Sequence, residues 1–93
     1  MNTLPDHLAH VTSLTADDLH VDLTVVGRYE VQTDYMPVGA HAGKYETEIF
    51  SDEDPDLDEW RTWTWTREDA VAMHAKVVAA LREGRDLDEA VAR

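Results

Sequence analysis

From Leu19 to Tyr35 the odd positions read Leu, Val, Leu, Val, Gly, Tyr, Val, Thr, Tyr, while the even positions read His, Asp, Thr, Val, Arg, Glu, Gln, Asp. A period of two, apolar against polar, is the pattern of extended chain with one face on a core. Gly27 interrupts it only by lacking a side chain. A three-residue loop, Val26-Gly27-Arg28, keeps the parity and pairs Val25 with Tyr29, Leu23 with Val31 and Leu19 with Tyr35. A two-residue loop sets odd residues against even ones and mixes the faces. The hairpin with the longer loop is therefore the preferred reading, with one long strand bent at Gly27 as the alternative.

Met36–Gly43 is a loop by its Pro and Gly content. Lys44–Phe50 is rich in β-branched and aromatic residues and predicts a strand, and Trp60–Trp65 predicts another, with the Pro55-containing acidic run as the turn between them. Parity puts Trp63 and Trp65 together under a helix, leaving Thr62 and Thr64 with Glu46 and Glu48 on the opposite, polar face. Thr66 is placed to cap a helix over Arg67–Glu83, which stops at Gly84. On a helical wheel Ala70, Val71, Met73, Val77, Val78 and Leu81 form one apolar arc, with His74 near its middle. Asp86–Arg93 adds a short final turn. Residues 1–18 read as a weakly structured lead, in which Leu4, Leu8 and Val11 have helical spacing and Thr15 has capping chemistry. The pattern predicts a single domain over residues 1–93. Its fold is α+β, a three- to four-stranded antiparallel meander with one face covered by the C-terminal helix.

Charge gives this fold a direction. Residues 1–60 hold 14 acids against Arg28 and Lys44, residues 61–93 balance six acids with six bases, and the total is −12. The excess peaks in Asp52-Glu53-Asp54-Pro55-Asp56-Leu57-Asp58-Glu59, which runs into Trp60. Direct nucleic-acid binding and anionic membrane surfaces are disfavoured, because both reward Lys and Arg clusters. No apolar run approaches the roughly 18 residues of a membrane span. The first residues lack a basic region and apolar core, so no signal peptide is read and the cytoplasm is the expected compartment. Without cysteine there is neither a disulfide framework nor a thiolate metal site.

The acidic run has acids at alternate positions 52, 54, 56 and 58, but Leu57 and Trp63 stand where a calcium loop needs Gly and a bidentate Glu. The remaining readings are a solvated turn or an acidic contact surface. Trp60, of opposite parity to Trp63 and Trp65, is the aromatic expected at the edge of that surface. His74 reads as a core or boundary histidine. Catalysis there would require an oriented acid or nucleophile that the sequence does not reveal. His7 and His10, beside Asp6, form only a weak ligand set, and His20 and His41 have no evident partner. Gly39–Gly43 lacks the flanks of a phosphate loop, and Ser13 and Ser51 lie outside any nucleophile elbow.

Tyr29-Glu-Val-Gln-Thr33, Tyr45-Glu-Thr-Glu-Ile-Phe50 and Thr64-Trp-Thr-Arg-Glu-Asp-Ala70, with His74 one turn further, carry a resemblance to small uncharacterised accessory proteins of actinobacteriophages and related mobile elements. It covers residues 29–84. It implies a phage accessory protein that binds rather than catalyses, and no functional residues come with it. The resulting expectation is a non-enzymatic acidic protein that uses no cofactor or metal. It occupies a basic, nucleic-acid-binding surface of a host or defence protein by charge mimicry, through Glu46, Glu48, Asp52, Glu53, Asp54, Asp56, Asp58, Glu59 and Trp60. Replacing Asp54, Asp56 and Asp58 by Asn is expected to abolish such binding and spare the fold. The alternatives are a self-assembling or virion-associated domain, a homo-oligomer, and a metal-dependent or hydrolytic enzyme built on His74 and carboxylates.

Overall fold

Four strands and two helices follow one another in the computed structural model, which describes residues 19–92. The elements are β1 (His20–Val26), β2 (Tyr29–Tyr35), β3 (Tyr45–Phe50), β4 (Arg61–Thr64), α1 (Arg67–Glu83) and α2 (Leu87–Val91). The strands form one antiparallel sheet in the order β1-β2-β3-β4, and α1 covers one of its faces. The fold is α+β, as the alternation and the single long amphipathic helix predict. The readings made for residues 1–18, including the His7/His10 pair, lie outside the described residues.

The first hairpin departs from expectation. Val26 pairs directly with Tyr29, so the connection is the two-residue loop Gly27-Arg28. Gly27 has φ 58 and Arg28 has no positive φ, which fits a type II′ turn with Gly at its first central position. This turn matches the right-handed strand twist, and it moves β1 by one residue relative to the parity reading. Thr24 then faces Val31, and Val25 faces Glu30. Leu23 and Val25 are consequently exposed, at 43% and 64%. A register irregularity between His20 and Asp22 shifts the strand again, setting His20 opposite Asp34 and Asp22 opposite Thr33.

The face of the sheet beneath α1 carries the rows Thr24–Val31–Ile49, Asp22–Thr33–Thr47–Thr62 and Tyr35–Tyr45–Thr64. The outer face carries Val25–Glu30–Phe50, Leu23–Gln32–Glu48–Arg61 and Asp34–Glu46–Trp63. Thr62 and Thr64 thus lie on the helix side and Trp63 beside Glu46, the reverse of the sequence expectation. The apolar core is small: Val31 and Ile49 from the sheet, Val77, Val78 and Ala80 from α1, and Leu87 from α2.

Helix α1 begins and ends where its caps dictate. Thr66 accepts the Asp69 N–H through its hydroxyl, at 3.1 Å, and Gly84 closes the last turn at φ 67, a left-handed conformation that costs glycine least. Its buried stripe is Ala70, His74, Val77, Val78 and Ala80, while Val71, counted in the apolar arc, is half exposed at 50%. Asp86 caps α2 in the same manner, accepting the Glu89 N–H at 2.9 Å. Among the described residues no helix is long and apolar enough to cross a membrane.

Candidate functional site

The Asp52–Glu59 turn is built by its own carboxylates. Buried Ser51 accepts the Asp54 N–H at 3.1 Å through its hydroxyl, and Asp58 accepts the Ser51 N–H at 2.9 Å. Asp54 receives the Tyr29 hydroxyl at 2.6 Å and the Asp56 N–H at 3.2 Å, with the Arg28 guanidinium 3.7 Å away. Those contacts hold the Asp54 carboxyl below the usual carboxylate range, the Tyr29 hydroxyl contributing most. Glu59 leaves the turn with φ 69, and its N–H returns to the Ile49 carbonyl at 2.8 Å. Asp54 and Asp58 therefore maintain the loop. Their side chains are thereby engaged inside the loop and are not free for a partner. The acids left for an outside partner are Asp52, Glu53, Asp56 and Glu59, all exposed and without a side-chain hydrogen bond among the described residues.

Leu57 and Trp60 fasten this turn to the core beside α2. The Trp60 indole N–H is donated to Asp88 at 3.2 Å. Trp60 is thus half-buried and internally engaged, and the exposed tryptophan is Trp65, at 71%. The contact brings a second acidic segment, Asp86 to Glu89, next to the first. Sequence reasoning missed this addition because Arg82 and Arg85 balance the charge locally. Its only advance signal was the Asp-Leu-Asp-Glu composition.

Glu46 and Glu48 lie on the outer face of β3, away from the turn's exposed acids. Arg61 bridges them, 3.0 Å from Glu48 and 3.7 Å from Glu46, and both carboxylate side chains are largely buried, at 13% and 14% exposure respectively. Burial, reinforced by the hydrogen bond that protonated Glu48 donates to the neighbouring Glu46 carboxylate and opposed by Arg61, pushes the Glu48 carboxyl up to about 6. Beside them His41 stacks on Trp63 with ring centroids 4.3 Å apart, and Lys44 sits 4.5 Å over the Trp65 ring. The two glutamates thus form a locally neutralised patch and are not continuous with the acidic end.

His74 is 3% exposed beneath α1. Its Nδ1 lies 2.8 Å from the Thr33 hydroxyl and its Nε2 2.9 Å from the Thr24 hydroxyl, while Thr33 and Thr47 are 2.8 Å apart. The Asp22 carboxylate stands 3.6 Å from Nε2. This is an acid, an imidazole and hydroxyls in sequence, the oriented neighbours the sequence did not reveal. Thr33 and Thr47 are 0% and 1% exposed, so the Nδ1 side of the group is closed to solvent, while on the Nε2 side Thr24 is half-buried and Asp22 is exposed. Desolvation lowers the His74 pKa, Asp22 opposes that shift, and the imidazole is held neutral. A neutral ring donates from one nitrogen and accepts at the other, and the two threonine hydroxyls, each able to donate or accept, can serve both.

Among the described residues no group of three or more His, Asp or Glu is placed to hold a metal ion. Comparison of the chain with protein families, with curated proteins and with solved structures gave no match.

Proposed function

We propose that this protein is a non-enzymatic acidic binding module that occupies a basic surface of another protein, of the kind that otherwise holds nucleic acid. One observation carries the reading: the exposed acids of the Asp52–Glu59 turn and those of α2 are brought to the same end of the molecule by the Trp60–Asp88 hydrogen bond. Clustered exposed carboxylates on a rigid scaffold raise the local negative potential and steer a cationic partner. The loop's internal hydrogen bonds support the reading further, since a preordered charge array loses less entropy on binding than a floppy one. A hydrolytic role is disfavoured because His74 is itself 3% exposed and the Thr33 hydroxyl on its Nδ1 is 0% exposed. The proposed setting is the cytoplasm of a phage host.

The test is capture of partners from a host lysate by the immobilised protein at about 0.15 M and about 1 M salt, where the Debye length falls from about 8 Å to about 3 Å. A parallel capture uses the variant carrying Asp52→Asn, Glu53→Gln, Asp56→Asn and Glu59→Gln. The expected result is a basic protein retained at low salt, released at high salt and lost with the variant. A partner held equally in all three conditions overturns the reading.

A further inference from the structure

Among the described residues β1 has one neighbour in the sheet, β2, and its ladder is interrupted between His20 and Asp22. The buried apolar cluster of Val31, Ile49, Val77, Val78, Ala80 and Leu87 contains no β1 residue, and Val26, at the turn end, is the β1 side chain that packs against it. Leu23 and Val25 point away and are exposed. Further along the strand the contacts to His74 of α1 are polar: the Thr24 hydroxyl is 2.9 Å from Nε2 and the Asp22 carboxylate 3.6 Å. A strand with one partner, an irregular ladder and little apolar burial belongs to the part of a fold that opens first. The cluster that holds the other elements together does not require it.

His74 lies on the seam where β1 meets α1. Thr33 and Thr47 close its Nδ1 side, and Thr24 and Asp22 cover its Nε2 side. Few ionisable groups face it. From β1 these are Asp22 and, at longer range, His20, which lies 3.0 Å from Asp34 of β2. On the helix side of the sheet β2 and β3 present Thr33, Thr47 and the tyrosines 29, 35 and 45, and β4 presents Thr62 and Thr64, none of which carries charge in acid. Glu30, Asp34, Glu46 and Glu48 occupy the outer face. One turn away along α1 stand Ala70, Val71, Val77 and Val78. The counter-charge for a proton on His74 is therefore Asp22, which is beyond hydrogen-bond reach and has a 53% exposed side chain. Such a proton is poorly compensated while β1 is docked and is hydrated once β1 lifts.

We propose that His74 is an acid-operated latch: neutral, it holds β1 to α1 through Thr24, and its protonation releases β1 while β2, β3, β4 and α1 stay folded. Burial lowers the pKa of the docked imidazole, which fixes the direction. With β1 lifted, the ring returns towards its ordinary value near 6.5, so the open form binds more protons. The opening equilibrium then rises as pH falls below about 6.5, by up to about tenfold per pH unit. The His20–Asp34 pair acts in the opposite sense, since protonated His20 tightens it. Release uncovers the β2 edge and the Thr33 hydroxyl. The latch is independent of the acidic end of the molecule.

The test is native-state amide hydrogen exchange by NMR between pH 5 and 7.5, with and without low denaturant, expressed as protection relative to the unfolded-chain rate at each pH. The β1 amides are expected to be at least about tenfold less protected than those of β3 and α1 and nearly insensitive to low denaturant, the mark of a local opening. Their protection should fall several-fold per pH unit below about 6.5 in the wild type and in His20→Gln, and should lose that dependence in His74→Gln. Asp22→Asn keeps an acceptor for the Leu23 N–H and removes the counter-charge, so in this variant protection should decline further before levelling off. Equal protection and denaturant sensitivity in β1 and β3 would show global unfolding alone and overturn the latch. So would β1 protection that does not change with pH, a dependence that survives in His74→Gln, or an Asp22→Asn profile superimposable on the wild type. Should His74→Gln fail to fold, the wild-type ring resonances decide: a His74 that titrates while β1 protection stays constant also overturns it.

Discussion

Replacing Glu48 by Gln is expected to make the protein more stable at neutral pH, although it deletes a charged partner of Arg61. In the folded chain the carboxyl titrates at about 6 rather than at its ordinary 4.5. The difference means that near pH 7.5 the fold holds an ionised group it would rather keep protonated, at a cost of about 2 kcal/mol. Gln has the shape of the protonated acid, and its carbonyl still accepts from Arg61, which also keeps Glu46 at 3.7 Å. Allowing for the lost attraction to Arg61, a gain of about 1 kcal/mol is expected, or roughly 4–8 °C in melting temperature for a domain of this size. The sign with pH follows from linkage. A raised carboxyl pKa means that the folded state binds more protons than the unfolded one between about 4.5 and about 6, so the wild type recovers this stability as pH falls. The advantage of Glu48→Gln should accordingly be nearly full at pH 7.5 and mostly gone by pH 4.5, measured by thermal unfolding with circular dichroism across that range. A destabilised variant at pH 7.5, or a gain that does not change with pH, would refute the reasoning.

Two further outcomes follow from the buried network and the turn. His74 is held neutral by desolvation, so the unfolded state binds the extra proton below about pH 6.5 and His74 makes the fold lose stability on acidification. In His74→Leu, with Asp22 and His20 still in place, denaturant titrations should show that the wild type's stability relative to the variant declines as pH drops below about 6.5, and a difference constant with pH would contradict this. Tyr29→Phe removes the hydroxyl that holds the Asp54 carboxyl low, so the Asp54 side-chain carbon resonance should titrate at higher pH than in the wild type. Because a depressed carboxyl stabilises above its unfolded pKa and loses that contribution in acid, the variant should also be less acid-sensitive; an unmoved Asp54 titration would assign the depression to other groups.

The number of strands, their antiparallel order and the covering helix were legible because each rests on local chemistry: β-branched runs, Pro and Gly at the turns, Thr66 and Gly84 at the helix ends. Facing was not legible. The odd-position apolar series across Gly27 is a sound amphipathic pattern, yet the type II′ preference of Gly27-Arg28 overrode it, and the disagreement exposed Leu23 and Val25. The same blindness to pairing reversed Thr62 and Thr64 with Trp63. Within the candidate site the acidic turn was visible as composition, but the division of labour within it depends on contacts with Tyr29, Arg28 and Ser51, and Tyr29 is 25 residues from Asp54 in the chain. Trp60 was placed at the exposed edge on parity alone, while its hydrogen bond to Asp88, 28 residues away, turns it inward.

The two-residue turn at Gly27-Arg28 has a consequence for how this chain could change over time. Its β1 carries two interiors at once, Leu23 and Val25 on one side and Asp22 and Thr24 on the other. Drawing Val26 into the turn, so that Val25 meets Tyr29, would turn β1 over and exchange the hydroxyl that meets His74 for a branched aliphatic. Such a slip would make the β1 side of the interior greasy without altering a single residue, so the pairing chosen at this turn acts as the selector of what His74 faces.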